Sequence, residues 1–167
     1  MKAFHVVLSA LTVGTILFSG CGKSEADKKM ESELNERIMQ AHEGQMAMAT
    51  QIDELLTKVD AAVAQHDSLA KAFPKVMAEK SDANLLSAKD KLSAAKDAMD
   101  SWMSSHEPYN ESVKHTIAME QLNKDMDLVT QVGTQMSSAI AEAQTALDDN
   151  AKMADEIMAM THKGKKK

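Results

Sequence analysis

The only cysteine among the 167 residues, Cys21, closes an apolar run and follows two small residues, Ser19 and Gly20. Its thiol is the only one in the chain and is open to alkylation, and with no second cysteine it has no disulfide partner. His42, Met46 and Met48 fall on neighbouring turns of a helix that carries them, and Met158, Met160 and His162 repeat the pattern further along. Thioether and imidazole donors suit Cu(I). Methionine is also a flexible core filler, and Met48, Met126 and Met136 fall on apolar seams. Packing is therefore the reading adopted, and no metal ligand is assigned. His66 stands on such a seam beside Asp67. A buried imidazole there would set register or respond to pH, whereas one at the bundle edge would be hydrated. Trp102 and Tyr109, near Pro108, are placed to shape a ligand pocket or to plug one end of a bundle, and the plug is preferred. No glycine-rich phosphate loop, His-Glu metal-hydrolase spacing or nucleophile elbow is present. No catalytic residue and no cofactor are assigned, and an enzyme is not expected.

The segment ahead of Cys21 explains the position of that thiol. Lys2 supplies a positive start, and Ala3 to Phe18 form an apolar run broken only by His5, a few Ser and Thr, and Gly14. The run falls short of the ~20 residues that cross a bilayer core, so a secretion signal is expected rather than a retained span. Leu17-Phe18-Ser19-Gly20-Cys21 resembles the lipobox cut by lipoprotein signal peptidase. That resemblance implies cleavage between Gly20 and Cys21, a diacylglyceryl group on the thiol and acylation of the new amine. Two or three acyl chains, at ~0.8 kcal/mol per buried CH₂, hold a protein to a membrane essentially for good. Gly22 replaces the aspartate that commonly retains lipoproteins in the inner membrane, so the outer membrane is the expected location.

Composition bounds the elements that follow. Aromatics are 3% of the chain, Gly and Pro are scarce, and Ala, Met, Leu, Lys, Glu, Asp and Gln dominate. These are mostly good helix formers, and no Val/Ile/Thr-rich alternating run predicts a strand. Between Met30 and His162 twenty-three Asp and Glu stand against eleven Lys and Arg. Such an acidic body repels phosphate backbones, so no nucleic acid is expected as a partner. The end then reverses sign with Lys163-Gly164-Lys165-Lys166-Lys167, a tail that either touches anionic headgroups or is solvated.

Periodicity supplies the architecture. From Leu34, steps of four and three reach Ile38, Ala41, Gln45, Met48, Ile52, Leu55, Val59, Ala62, His66, Leu69, Phe73 and Val76. A second series runs Leu85, Ala88, Leu92, Ala95, Met99, Trp102. A third runs Met119, Leu122, Met126, Val129, Gly133, Met136, Ile140, Ala143, Leu147 and on to Ala154 and Ile157. Sustained 3-4 spacing is the mark of helices packed with coiled-coil geometry. Pro74 ends or kinks the first helix near Phe73, Ser81 or Asp82 caps the second, and Pro108 with Asn110 separates the second from the third. The predicted fold is all-α, an up-down-up three-helix bundle or coiled coil with long first and third helices. Its short middle helix leaves seam to be exposed, bent back or paired with another copy. The expected layout is a signal peptide over 1–20, a lipidated tether over 21–29, a helical coiled-coil domain over 30–162 and a basic tail over 163–167.

Arg37-Ile38-Met39-Gln40-Ala41-His42-Glu43 with Met46 resembles the first-helix motif of small helical bacterial lipoproteins often labelled viral A-type inclusion proteins. Asp97-Ala98-Met99-Asp100-Ser101-Trp102-Met103, then Glu107-Pro108, is similar to their second-helix motif, and Leu122 to Leu147 to their third helix. The resemblance implies a helical lipoprotein and no assigned activity. The expectation is a membrane-anchored helical envelope lipoprotein with a structural or protein-interaction role. Its partners would be the membrane, through the N-terminal lipid, and an envelope protein or a second copy. Three alternatives stay open. One is a peptidoglycan-linked tether, since murein lipoprotein also combines lipid, helical rod and terminal lysine. The others are a periplasmic Met/His copper binder and a holdase.

Overall fold

The computed structural model describes residues 23–164, with side chains described as far as residue 160. The expected signal segment, Gly20, Cys21 and the last three lysines lie outside the described residues. The described residues form α1 (Glu25–Ala72), α2 (Pro74–Met77), α3 (Ala83–Ser105) and α4 (His115–Gly164), with no strand among them. The fold is all-α. Helix α1 has 48 residues and α4 has 50, which at 1.5 Å per residue makes each ~70–75 Å long.

Three helices were expected and four are found, because Pro74 both ends one helix and begins another. A proline cannot donate its missing N–H inside α1, but at the first position of a helix that N–H is not needed. The chain accordingly stops at Phe73, whose N–H still reaches the Leu69 carbonyl at 2.8 Å, and restarts as the single turn α2. The restart shifts the register. Val76, predicted on the seam, is exposed, and Met77 is buried instead.

The amino-terminal boundary also differs. Residues 25–29, expected to belong to a tether, are the first turn of α1. Ser24 is the N-cap: its Oγ accepts from the Asp27 N–H and the Asp27 carboxylate accepts from the Ser24 N–H, both at 3.1 Å. This reciprocal cap satisfies two otherwise orphaned donors, and it holds the Asp27 carboxyl below the usual carboxylate range.

Cross-contacts fix the neighbours. Gln45 of α1 meets Val129 of α4, and further on Gln65 meets Asn150, so residue numbers rise together along those two helices. Lys89 and Lys96 of α3 reach Asp60 and Asp53 of α1, and Lys91 pairs with Glu142 of α4, so numbers run oppositely along α3. The core between them is a layered seam. Ile38, Ile52 and Val59 of α1, Leu92 and Ala95 of α3, and Val129, Met136 and Ala143 of α4 are wholly buried. Burying a Leu or Ile side chain contributes roughly 1.5–3 kcal/mol. The alanines at Ala88, Ala95, Ala139, Ala143 and Ala146 let the axes approach closely. A polar side chain interrupts the middle of the seam. Gln45 donates from Nε2 to the Val129 carbonyl at 2.6 Å, and Gly133 makes room for it: a Cβ there would stand 2.7 Å from that nitrogen.

Candidate functional site

At the amino-terminal end of the bundle, one carboxylate organises four segments. Glu31 is fully buried on α1, and its oxygens receive three donors. Oε2 accepts from Lys23 Nζ at 2.5 Å and from the Tyr109 hydroxyl at 2.6 Å, while Oε1 accepts from His115 Nδ1 at 2.8 Å. Lys23 precedes α1, Tyr109 lies in the α3–α4 connection, and His115 opens α4. The Lys23 ammonium also stands 5.6 Å from the Tyr109 ring centre, and His115 Nε2 lies 3.5 Å from Asp27. An ionised carboxylate only accepts hydrogen bonds, so His115 must carry its proton on Nδ1.

The electrostatics follow from these partners. Burial alone pushes the Glu31 carboxyl up, but the hydrogen bonds from Lys23, Tyr109 and His115 together outweigh it and hold it down at about 2. Across the same bond, the Glu31 carboxylate and then burial push the Tyr109 phenol up to about 12. A proton-transfer group works best with a pKa near ambient pH and a free oxygen. Glu31 has neither. It is a clamp that fastens the residues before α1 to the α3–α4 connection.

One helical layer further in, three rings pack together, His42 tilted against Trp102 and Trp102 stacked on His106. His42 of α1 and Trp102 of α3 have ring centres 5.1 Å apart, and Trp102 and His106 are 5.0 Å apart. His106 Nδ1 pairs with Asp125 of α4 at 2.5 Å. The indole Nε1 of Trp102 and Nε2 of His42 are buried without a hydrogen-bond partner. Beside this stack lies a cavity of about 540 Å³ lined by Pro108, Tyr109, Val113, Leu122, Asp125 and Leu128 among others. Tyr109 is half-buried and lines this cavity, whereas Trp102 is buried in the core and does not line it.

Among the described side chains, the sequence-selected methionines of α1 and those at the end of α4 are not brought together. Met46 is exposed and Met48 half-buried, with its sulfur 3.6 Å from Ser137 Oγ. Met158 and Met160 are exposed near the carboxyl end of α4, and the His162 side chain lies outside the described ones. His66 is buried at the opposite end from Glu31, with Nε2 unpartnered, and one of its ring nitrogens lies within 4.8 Å of carboxylate oxygens of Asp67 and Asp82. Glu31, His106, His115, Asp125 and Asp82 as a neighbour of His66 are partners that sequence reasoning missed. Only Glu31 carried a signal, standing three residues before Leu34 on the same seam. The others meet across distant helices. No protein-family model, curated protein or solved structure matches this chain.

Proposed function

We propose that the chain is an envelope lipoprotein, lipidated at Cys21 after cleavage at Gly20 and held at the outer membrane. In this reading its two long helices and the shorter α3 between them act as one up-down-up rod with a structural or protein-interaction role. The small helical lipoproteins labelled viral A-type inclusion proteins are the family it is assigned to on this reading. The observation that carries the proposal is the apolar run ending in Leu17-Phe18-Ser19-Gly20-Cys21, with Cys21 the only cysteine of the sequence. A chain held to a membrane through Cys21 transmits load through Gly22 and Lys23, and Lys23 is locked into the body at once, with α1 beginning at Glu25. Among the described residues no helix is long and apolar enough to cross a membrane. An interaction role draws on Met39 and Met46, exposed and seven residues apart on one face of α1, since thioether side chains adapt to varied partners.

Replacing the thiol tests the anchor. The wild-type protein should partition into detergent, take up labelled palmitate and carry the mass of its acyl groups, whereas Cys21→Ser should do none of these. A Cys21→Ser protein that keeps the lipid mass and the detergent partition would overturn the proposal.

A further inference from the structure

At the end of the bundle away from Glu31, three side chains converge that no other hydrogen bond or ion pair among the described residues uses. His66 and Asp67 lie near the end of α1, and Asp82 is the residue that caps α3. One ring nitrogen of His66 and one carboxylate oxygen from each Asp all lie within 4.8 Å of one another. His66 is 7% exposed, and its Nε2 has no hydrogen-bond partner. A buried nitrogen left unsatisfied is destabilising and calls for a compensating partner. Asp82 has the position of a helix cap without the chemistry of one. Its carboxylate takes no bond from the first turn of α3, and the Ser81 hydroxyl accepts from the Ala83 N–H instead, at 3.1 Å. Among the described residues neither Asp67 nor Asp82 forms an ion pair, while lysines at Lys80, Lys89, Lys91 and Lys96 are spent on Glu156, Asp60, Glu142 and Asp53. Two carboxylates held this close repel each other unless a cation lies between them.

The geometry points to a divalent-cation site formed by His66, Asp67 and Asp82, which joins the end of α1 to the start of α3. One imidazole with two carboxylates is a donor set for Zn²⁺, which bonds nitrogen and oxygen at ~2.0–2.2 Å and completes its shell with water. Soft Cu(I) would want sulfur. Ligand atoms sharing a tetrahedral ion at those bond lengths stand ~3.3 Å apart, so 4.8 Å closes with small side-chain rotations about the two exposed or half-exposed aspartates. The ion would satisfy the buried imidazole, cancel the carboxylate repulsion and staple the connection that carries Pro74 and α2. This site is independent of the anchoring at Cys21.

Zn²⁺ titration of the full chain in detergent, followed by calorimetry and thermal melts, tests the site. Asp82→Asn is the principal variant, because asparagine is as good a helix-capping residue as aspartate and should keep the fold. Asp67→Asn, on the exposed surface of α1, is the second. The wild type should bind one Zn²⁺ saturably, and its melting temperature should rise with Zn²⁺ as binding to the folded state requires. Each variant should bind ~10-fold or more weakly and lose that rise, with its metal-free melt unchanged or higher. Absence of saturable binding to the wild type, or affinity within that margin in either variant, would overturn the site.

Discussion

Glu31 stands three residues before Leu34, so a helix that buries Leu34 must bury Glu31 as well. A carboxylate in that position is tolerable only because Lys23, Tyr109 and His115 deliver donors from three other segments. Its pH dependence follows from its partners. The folded carboxyl is held at about 2 against an ordinary value of 4.5, so its contribution is complete above 4.5 and is lost as pH falls toward 2. Glu31→Gln keeps the size, removes the charge and turns one acceptor into a donor that faces other donors. It should lower stability at pH 7 by about 1.5–3 kcal/mol, the range for a hydrogen bond to a charged group. Denaturant melts at a series of pH values check this: the wild type should lose stability on acidification below 4.5 more steeply than the variant. Parallel curves would mean that Glu31 is not held by these donors. Tyr109 shows the opposite sign. Its phenol is raised to about 12 from 10.0, so its contribution is present below 10 and fades as pH climbs toward 12.

At the scale of elements, the 3-4 seam is the organising feature, and charge placed in it should be costly. Leu55 is 4% exposed and Ile140 8% exposed, each packed in the shared core. Leu55→Asp or Ile140→Asp would bury an unpaired carboxylate and should cost more than ~3 kcal/mol or unfold the bundle. Lys89→Asp breaks an exposed ion pair with Asp60, worth ~1 kcal/mol at most. Thermal melts of the three variants should therefore separate clearly, and equal melts would refute the seam. This seam was legible in the sequence because it is local. All six residues of the second series, Leu85 to Trp102, are buried on α3. What was not legible depends on events outside the period. The Pro74 restart exchanges Val76 for Met77, and the Ser24–Asp27 cap turns an apparent tether into helix. The clamp, the ring stack and the His66 cluster join residues separated by whole helices, where spacing along one helix says nothing of who faces whom.

The whole molecule decides whether the two Met/His groups can act together. Helices α1 and α4 advance in step, with Gln45 against Val129 and Gln65 against Asn150. Met48 is therefore level with Ser137, which its sulfur contacts. Met158 lies on the last turns of α4, next to Glu156, whose partner Lys80 belongs to the opposite end of the bundle. At 1.5 Å per residue along a straight helix, the step from Ser137 to Met158 is roughly 30 Å, many times the span of a metal–ligand shell. One Cu(I) ion cannot draw on both groups. Within the first group the side chains also diverge, since Met46 is exposed while Met48 turns toward α4. Replacing Met46, Met48, Met158 and Met160 together by leucine conserves volume and removes every thioether donor of the two groups. Each swap should cost under ~1.5 kcal/mol, and the exposed positions much less, so the variant should keep its helical content and a cooperative melt. Its Cu(I) affinity, measured by competition with a chromogenic chelator, should match that of the wild type. Stoichiometric Cu(I) binding by the wild type that disappears in the leucine variant would show that the thioethers are ligands. The rod would then have to be read as a metal carrier rather than a packed scaffold.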